Sequence, residues 1–210
     1  MPELHIITGS NGAGKSSVGP VFLPKHIQQQ CEVFNGDKLV EDKKKELYKS
    51  GMRAFKEARN IAHEHLYNVW EALRNEHLQN KTNFAYEGHF TNEETWSVPR
   101  KFKEAGFDIH LVFLGLRDTE LSMLRVYDRA NNEGGHFVRR EEVNHNFYGN
   151  MEKLNKYYTM FNSVQIIDTS ELEHIVIATY QNGGLVNSIA REVLPVWFTT
   201  YLPALAAQII

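Results

Sequence analysis

Short apolar runs alternate with longer amphipathic segments along most of the chain. The apolar runs predict strands at Leu4–Thr8, Glu32–Phe34, Asn83–Tyr86, Asp108–Leu114 and Val164–Ile167. Apolar residues that recur at helical spacing predict helices over about residues 54–78, 93–105, 119–129 and 141–161. Continuous apolar strands that alternate with helices are typical of a parallel sheet with helices on both faces. We therefore expect an α/β fold with a five- or six-stranded, mostly parallel sheet.

The C-terminal residues Val196–Ile210 form a mostly apolar stretch that is interrupted by Pro203. A membrane-spanning helix needs roughly 20 predominantly apolar residues, so this stretch is too short to be one. We expect a single domain over residues 1–210, on which residues from about 186 to 210 pack as a C-terminal extension. No membrane partner is expected.

The composition narrows the function classes. Of the 210 residues, 42% are hydrophobic and 23% are charged, which is the balance of an ordinary globular protein. The formal net charge of −3 gives no general basic surface, so no nucleic-acid partner is expected. The single cysteine, Cys31, cannot form an internal disulfide, and the first residues lack the layout of a signal peptide. Both features favour a cytoplasmic protein.

Residues Gly9 to Ser16 match the pattern G-x-x-x-x-G-K-[ST] of a phosphate-binding P loop, directly after the first predicted strand. Lys15 would bring a positive charge to the β- and γ-phosphates, and Ser16 would offer a hydroxyl to Mg²⁺. A helix expected after the loop would present its positive end to the same anion. The pattern predicts ATP or GTP, with Mg²⁺, as cofactors. ATP is the first candidate. The nucleotide-binding residues would be Gly9, Ser10, Asn11, Gly12, Ala13, Gly14, Lys15, Ser16 and Ser17.

Two carboxylates follow predicted strands at the points where those strands end, namely Asp37 and Glu87. Ligands of parallel sheets bind at the carboxyl ends of the strands, so these residues are expected at the ligand edge. Phosphoryl transfer needs a group that orients the acceptor hydroxyl and accepts its proton. Asp37 is the candidate base, although it could also cap a helix that begins near Lys38. Glu87 could bind the acceptor, hold a water bound to Mg²⁺, or be a solvated turn residue.

Cationic side chains are concentrated in the second half of the chain. Arg125 and Arg129 lie four residues apart on one predicted helix face, so one of them could reach the phosphates. Arg139 and Arg140 follow a Gly-Gly-His sequence, and a glycine-hinged segment with arginines is typical of a lid over ATP. We expect a small helical lid at about residues 130–161, with Arg139 contacting the nucleotide. An ordinary basic surface loop is the alternative.

These motifs together resemble the zeta toxin family, P-loop kinases that phosphorylate UDP-N-acetylglucosamine. The resemblance covers roughly residues 3–190. Its elements, in family order, are the P loop, Asn35-Gly36-Asp37, the strand ending in Glu87, Arg125-Val126-x-x-Arg129, Gly134-Gly135-His136-x-Val138 and Asp168-Thr169-Ser170.

The resemblance implies a P-loop NTPase fold and a role for each matching residue. Lys15 and Ser16 would handle the phosphates and Mg²⁺, and Asp37 would be the base on the sugar hydroxyl. Glu87 would hold the substrate, and Arg129 would stabilise the transferring phosphoryl group. The resemblance also makes an antitoxin protein a candidate partner.

The sequence departs from the family pattern at two positions. His89 follows the strand-end glutamate in a stretch where the family usually carries threonine, and we expect it to line the acceptor site with Glu87 and Asp37. Asn146 occupies the position of an arginine that the family places before an aromatic residue. Unless Arg139 or Arg140 compensates, phosphoryl transfer is expected to be slow.

Two other functions remain open on the sequence alone. The chain could be a P-loop kinase for another small hydroxyl acceptor, such as a nucleoside or a different sugar. It could also be an ATP-binding regulator that has lost transfer activity, which the departure at Asn146 favours. Formation of ADP with and without an acceptor distinguishes these functions.

Overall fold

A computed structural model describes residues 1–132 and 138–210. Within them, seven strands form one sheet in the order β2-β3-β1-β4-β5-β6-β7. The first five strands pair in parallel and are β1 (Glu3–Gly9), β2 (Phe34–Asn35), β3 (Phe84–Glu87), β4 (Asp108–Gly115) and β5 (Ser163–Asp168). The predicted α/β class is confirmed. Because β1 lies between β3 and β4, the loop that follows it emerges in the middle of the sheet.

The sheet has seven strands instead of the predicted five or six, because a hairpin adds two strands beyond β5. Strand β6 (Ile175–Gln181) pairs antiparallel with β5 and with β7 (Gly184–Ser188). The turn contains Asn182 and Gly183, whose φ angles are 48° and 81°. Two residues with positive φ are what a tight hairpin turn requires, and Asn-Gly is the sequence best suited to it.

Helices connect the parallel strands and cover the sheet. Their bounds are α1 (Lys25–Gln30), α2 (Gly36–Lys49), α3 (Phe55–Asn80), α4 (Ser97–Glu104), α5 (Thr119–Asn132) and α6 (Arg140–Tyr157). The helix predicted from residue 93 begins only at Ser97, since residues 93–96 form turns in which Asn92 accepts a hydrogen bond from the Thr95 amide. None of the helices among the described residues combines the length and the apolar character needed to cross a bilayer.

The core lies along the central strands, where Leu4, Ile6 and Ile7 of β1 are fully buried. Helix α6 packs on the end of this core through Phe147, Met151 and Leu154. The middle of the segment predicted to be a lid is therefore part of the packed fold. Trp70 packs against Phe34, Phe84 and Tyr86 at the edge of the core, and Trp96 is fully buried.

The C-terminal residues pack against the sheet through two short helices, α7 (Val196–Tyr201) and α8 (Pro203–Ala206). Trp197 and Phe198 are buried, and the Trp197 ring lies on the backbone of Gly115 at the end of β4. A Cβ atom on Gly115 would lie 2.1 Å from that ring, so the contact requires glycine there. The residues from Val196 onwards thus contribute buried side chains to the core.

Candidate active site

The chain curls tightly after β1 because three glycines, Gly9, Gly12 and Gly14, adopt φ angles that other residues avoid. Gly9 has φ 143° and Gly12 has φ 72°. A Cβ atom on Gly9 would lie 2.2 Å from the carbonyl oxygen of Leu114, and one on Gly12 would lie 2.9 Å from Arg125 Cβ. Glycine therefore permits both the turn and the close approach of neighbouring elements.

Side chains from outside the loop hold its carbonyl groups. Ser122 Oγ donates to the carbonyl of Asn11 at 2.6 Å, and Thr169 Oγ1 donates to that of Ala13 at 3.0 Å. Arg125 Nη1 donates to the carbonyl of Gly12 at 3.4 Å. In a trans peptide, the carbonyl of one residue and the N–H of the following residue point in opposite directions. The amides of residues 12–14 therefore point away from the side chains of Ser122, Arg125 and Thr169. Successive amides on one side of a turn form an anion-binding nest.

The expectation of a helix directly after the P loop is wrong. Residues 15–18 form turns, a 3-10 helix covers Gly19–Phe22, and the first α-helix, α1, begins only at Lys25. Pro20 and Pro24 explain the break, since proline has no amide hydrogen and disfavours a helical conformation in the preceding residue. The site therefore relies on the loop amides and on Lys15 rather than on a long helix dipole.

Lys15 is held inside the curl of the loop. Its Nζ atom donates to the carbonyls of Gly9 at 3.2 Å and Ser10 at 3.0 Å, and lies 3.3 Å from His89 Nε2. Burial lowers the pKa of Lys15 to about 8, against the opposing effect of the carboxylates of Glu87 and Asp37. The ammonium group is thus already stripped of most of its water and is directed by backbone oxygens.

Ser16 and Glu87 are in direct contact, and together they offer oxygen atoms that could bind Mg²⁺. Ser16 Oγ donates to Glu87 Oε1 at 2.8 Å and accepts from Asn35 Nδ2 at 3.1 Å. The second carboxylate oxygen, Glu87 Oε2, is buried without a hydrogen-bond partner among the described residues. Burial raises the pKa of Glu87. An unpartnered carboxylate oxygen beside a hydroxyl fits Mg²⁺, which prefers oxygen ligands and keeps several of its waters.

Asp37 lies in the first turn of α2 and does not cap it. The cap is Asn35, whose Oδ1 accepts from the amide of Lys38 at 2.9 Å. The Asp37 carboxylate is exposed and borders a cavity of about 130 Å³. The same cavity is lined by Lys15, Glu87 and His89, and Leu66 of α3 forms an apolar wall. The structure thus brings the residues predicted from three strand ends to one small hollow.

His89 is fixed between Lys15 and an asparagine that sequence reasoning missed. Asn150 Nδ2 lies 3.1 Å from His89 Nδ1 and donates to the carbonyl of Asn146 at 2.6 Å. Asn150 Oδ1 accepts from the backbone amide of Phe90 at 2.6 Å. These contacts show which end of the Asn150 side chain is the oxygen and which is the nitrogen. Burial, followed by the charge of Lys15, lowers the pKa of His89, so its ring is neutral beside the lysine.

Asn146 faces the P loop as well. It is buried, and its Nδ2 donates to Asn11 Oδ1 at 2.8 Å. Asn146 and Asn150 are four residues apart on the otherwise apolar face of α6. Two buried amides at helical spacing were the available sequence signal for this contact between α6 and the loop. Asn146 therefore fills a packed, hydrogen-bonded position.

The arginines differ in what they contact. Arg125 is used structurally, since its Nη2 also donates to the carbonyl of Ser170 at 2.9 Å. Arg129 is exposed in the last turn of α5, and its charge is close enough to lower the pKa of Lys15 slightly, after the larger effect of burial. Arg139 is exposed just before α6, and Arg140 pairs with Glu120. The predicted Gly134, Gly135 and His136 lie outside the described residues.

Comparisons with known proteins bear on the family and the fold of this chain. A family model described as zeta toxin matches residues 1–179. Among solved structures, a chain of the PezAT chromosomal toxin–antitoxin system of Streptococcus pneumoniae is 20% identical, with a TM-score of 0.55. That match covers 83% of this chain and 72% of the other. A sequence search of curated proteins finds no match.

A second structural relative is larger than this chain. It comes from the complex of AvrRxo1-ORF1 and ORF2 with ATP, at 17% identity and a TM-score of 0.66. The match covers 89% of this chain but only 60% of that one. Structural similarity at this level of sequence identity shows the fold, and the match to the family model shows that the chain belongs to the family. This chain has a P-loop kinase fold and belongs to the zeta toxin family.

Proposed function

We propose that this protein binds ATP with Mg²⁺ and transfers the γ-phosphate to a hydroxyl group of a nucleotide sugar, with UDP-N-acetylglucosamine as the first candidate. The observation that carries the proposal is the hollow at the carboxyl edge of the sheet. There Lys15, Glu87 and the exposed carboxylate of Asp37 border one cavity beside the P loop. Phosphoryl transfer needs positioned positive charge, a metal and a base, and this edge offers a residue for each.

The P loop and its neighbours would bind the triphosphate. The amides of Gly12 and Gly14 and the Lys15 ammonium would supply hydrogen bonds to phosphate oxygens, while the Ala13 amide donates to the carbonyl of Ser10. Ser16 and Glu87 would hold Mg²⁺, Glu87 through a bound water. When bound, Mg²⁺ neutralises charge on the phosphates. The donors are in place before ATP arrives, which reduces the reorganisation needed at the moment of reaction.

Asp37 would act as the base. Its carboxylate stands at the solvent side of the cavity, where an acceptor hydroxyl can approach, and its helix is fixed by the Asn35 cap. It would accept the proton of the hydroxyl as that oxygen attacks the γ-phosphate. Glu87 and His89 line the inner side of the same cavity and would contact the acceptor there. Leu66 would bound the acceptor on its apolar side.

Charge on the transferring group would be met from the second half of the chain. Arg129 is the proposed stabiliser, because it is exposed near Lys15 and makes no side-chain hydrogen bond within residues 1–132 and 138–210. Arg139 is the proposed nucleotide contact, since it is exposed directly before α6. Arg140 already pairs with Glu120, so it is less available.

The acceptor and the partners rest on family membership. The structural relative solved with ATP supports ATP as the nucleotide. The relative from a toxin–antitoxin system supports an antitoxin protein as a partner of this chain. A reaction that uses ATP and a nucleotide sugar would take place in the cytoplasm.

An ATP-binding regulator with degenerate transfer activity is the second candidate. The observation that favours it is Asn146, which hydrogen-bonds Asn11 where the family carries an arginine. A missing cation on the transferring phosphoryl group can cost about 10³- to 10⁵-fold in rate, by analogy with arginine fingers. Slow transfer is therefore part of the proposal.

The test is ADP formation from radiolabelled ATP with and without a panel of hydroxyl acceptors. A kinase gives ADP and a labelled acceptor only when the acceptor is present. Labelling of a nucleoside or a free sugar instead of the nucleotide sugar would show that the acceptor belongs to that other class. ATP binding without ADP formation under any condition would establish the regulator.

A further inference from the structure

Three histidines and a glutamate converge at the amino edge of the sheet, on the side opposite the P loop. Glu3 and His5 lie at the start of β1, His110 lies at the start of β4, and His26 lies on α1. Because the carboxyl ends of β1 and β4 carry the P loop and the nucleotide edge, this cluster has no part in the site described above.

The glutamate lies at the centre of the cluster. Glu3 Oε2 is 2.7 Å from His5 Nε2 and 3.0 Å from His26 Nε2. One potential ligand atom each from Glu3, His5 and His110 lie within 4.8 Å of one another. The rings of His5 and His110 stack, with centroids 4.7 Å apart. His110 Nδ1 lies 2.7 Å from Ser163 Oγ, an arrangement that leaves its Nε2 available.

We propose that Glu3, His5 and His110 form a binding site for a divalent transition-metal ion of the zinc type, with His26 as the hydrogen-bond partner of the Glu3 carboxylate. Imidazole nitrogens together with one carboxylate suit Zn²⁺, whereas Mg²⁺ and Ca²⁺ prefer oxygen ligands throughout. Partners that hydrogen-bond a ligating carboxylate commonly contribute to metal affinity.

Binding of this ion requires small shifts of the side chains. Tetrahedral bonds of about 2.0–2.2 Å place neighbouring ligand atoms roughly 3.3–3.6 Å apart. The imidazoles of His5 and His26 lie 2.7 and 3.0 Å from Glu3 Oε2, which are hydrogen-bond distances, so an ion would replace the proton between Glu3 and His5. The ring planes of His5 and His110 differ by only 18°, and a metal lies in the plane of each ligating ring, so His110 would turn out of this stack on binding.

The three proposed ligands come from two central strands. Glu3 and His5 lie at the start of β1, and His110 lies at the start of β4. His5 is 3% exposed, so its ring would meet the ion from the interior of the protein. An ion held here would join β1 to β4, and the contact of His26 with Glu3 would connect α1 to the same site.

The experiment uses the untagged, chelator-treated full chain, titrated with Co²⁺ and Zn²⁺. We expect one equivalent of Co²⁺ to bind with the visible absorption of a four-coordinate site, and Zn²⁺ to displace it. Zn²⁺ at 100 times its Kd should raise Tm by about 5–10 °C. The variants His26→Ala and Glu3→Gln, each changed at a partly exposed side chain, should lose affinity on the order of ten- to hundredfold.

The matched control is His63→Ala, an exposed histidine on α3, which should bind metal as the wild type does. Absence of Co²⁺ binding by the wild type would overturn the proposal and leave a hydrogen-bonded network in which Glu3 accepts from two imidazoles. Equal binding by wild type, His26→Ala and Glu3→Gln would also overturn it, because the ion would then sit elsewhere. ATP binding is not part of the readout, so the result is independent of the proposed kinase activity.

Discussion

At the scale of single residues, the site depends on side chains whose contacts exist before any ligand binds. Lys15 is directed by two loop carbonyls and lies against His89. Lys15→Ala should weaken ATP binding by roughly 2–5 kcal/mol, because it removes a charge-assisted contact to a desolvated phosphate. Calorimetry with ATP and Mg²⁺ measures this, with Lys49→Ala on exposed α2 as the control. Equal affinity in wild type and Lys15→Ala would remove the foundation of the ATP site.

Asn150 is the residue on which the contacts between loop and helix converge. Its replacement by alanine leaves the buried Phe90 amide and the buried Thr8 hydroxyl without their acceptor. Each buried group left unsatisfied costs about 1–3 kcal/mol, so Asn150→Ala should lower the free energy of unfolding by at least that much. Urea unfolding measures it. Asn68→Ala, at an exposed position on α3, should change little, and a similar loss in both would contradict the role of Asn150.

At the scale of elements, hydrogen bonds of one surface carboxylate connect the segment after His89 to α6. Glu93 accepts hydrogen bonds from Tyr157, Lys156 and Lys153. The hydrogen bond from Tyr157, followed by that from Lys156, lowers the pKa of Glu93 to about 2.

A carboxylate with a lowered pKa stabilises the fold fully above its usual pKa of about 4.5 and loses that contribution as the pH falls towards 2. The difference in Tm between wild type and Glu93→Gln should therefore be present at pH 7 and shrink between pH 4.5 and 2. Glu94→Gln is the neighbouring control. A difference that stays constant down to pH 2 would mean that the charge of Glu93 does not contribute.

Some elements followed from the sequence and others did not, for identifiable reasons. The strand before the P loop and the long helix α3 were predictable, because apolar spacing decides both. The hairpin of β6 and β7 was missed although two signals were present, the apolar run Ile175–Ala178 and the turn sequence Asn182-Gly183. The second strand, β7, is mostly exposed and has no apolar run of its own. The helix after the P loop was predicted from the motif, whereas Pro20 prevents it.

The candidate site shows the same division. Asp37, Glu87 and Lys15 could be selected because strand ends and the P-loop pattern mark them. Asn146 was noticed only as a departure from the family pattern, and Ser122 and Asn150 were not selected, since they hold backbone groups of segments more than fifty residues away. Such contacts are set by packing between elements, and the spacing of Asn146 and Asn150 on α6 was the one local sign of them.

At the scale of the whole molecule, the C-terminal residues complete the packing behind the sheet. The Trp197 ring covers Gly115, directly before the segment that leads into α5. Gly115→Ala should lower the free energy of unfolding by about 1–3 kcal/mol or more, as overpacking does. The control is Gly184→Ala, because a Cβ atom on Gly184 would approach only one atom, at 3.6 Å. Gly106→Ala would be less suitable, because the φ angle of Gly106 is positive. Equal unfolding midpoints for Gly115→Ala and wild type would show that Trp197 is not held as described.

The central claim is that the edge formed by the P loop, Glu87 and Asp37 transfers phosphate to an acceptor. The most direct measurement is acceptor-dependent ADP formation by Asp37→Asn beside Asp42→Asn, an exposed aspartate on the same helix. Loss of the base should cost about 10²- to 10⁴-fold in rate with ATP affinity and Tm unchanged, while Asp42→Asn keeps the wild-type rate. Equal rates for wild type and Asp37→Asn, or no acceptor-dependent ADP from the wild type, would contradict it.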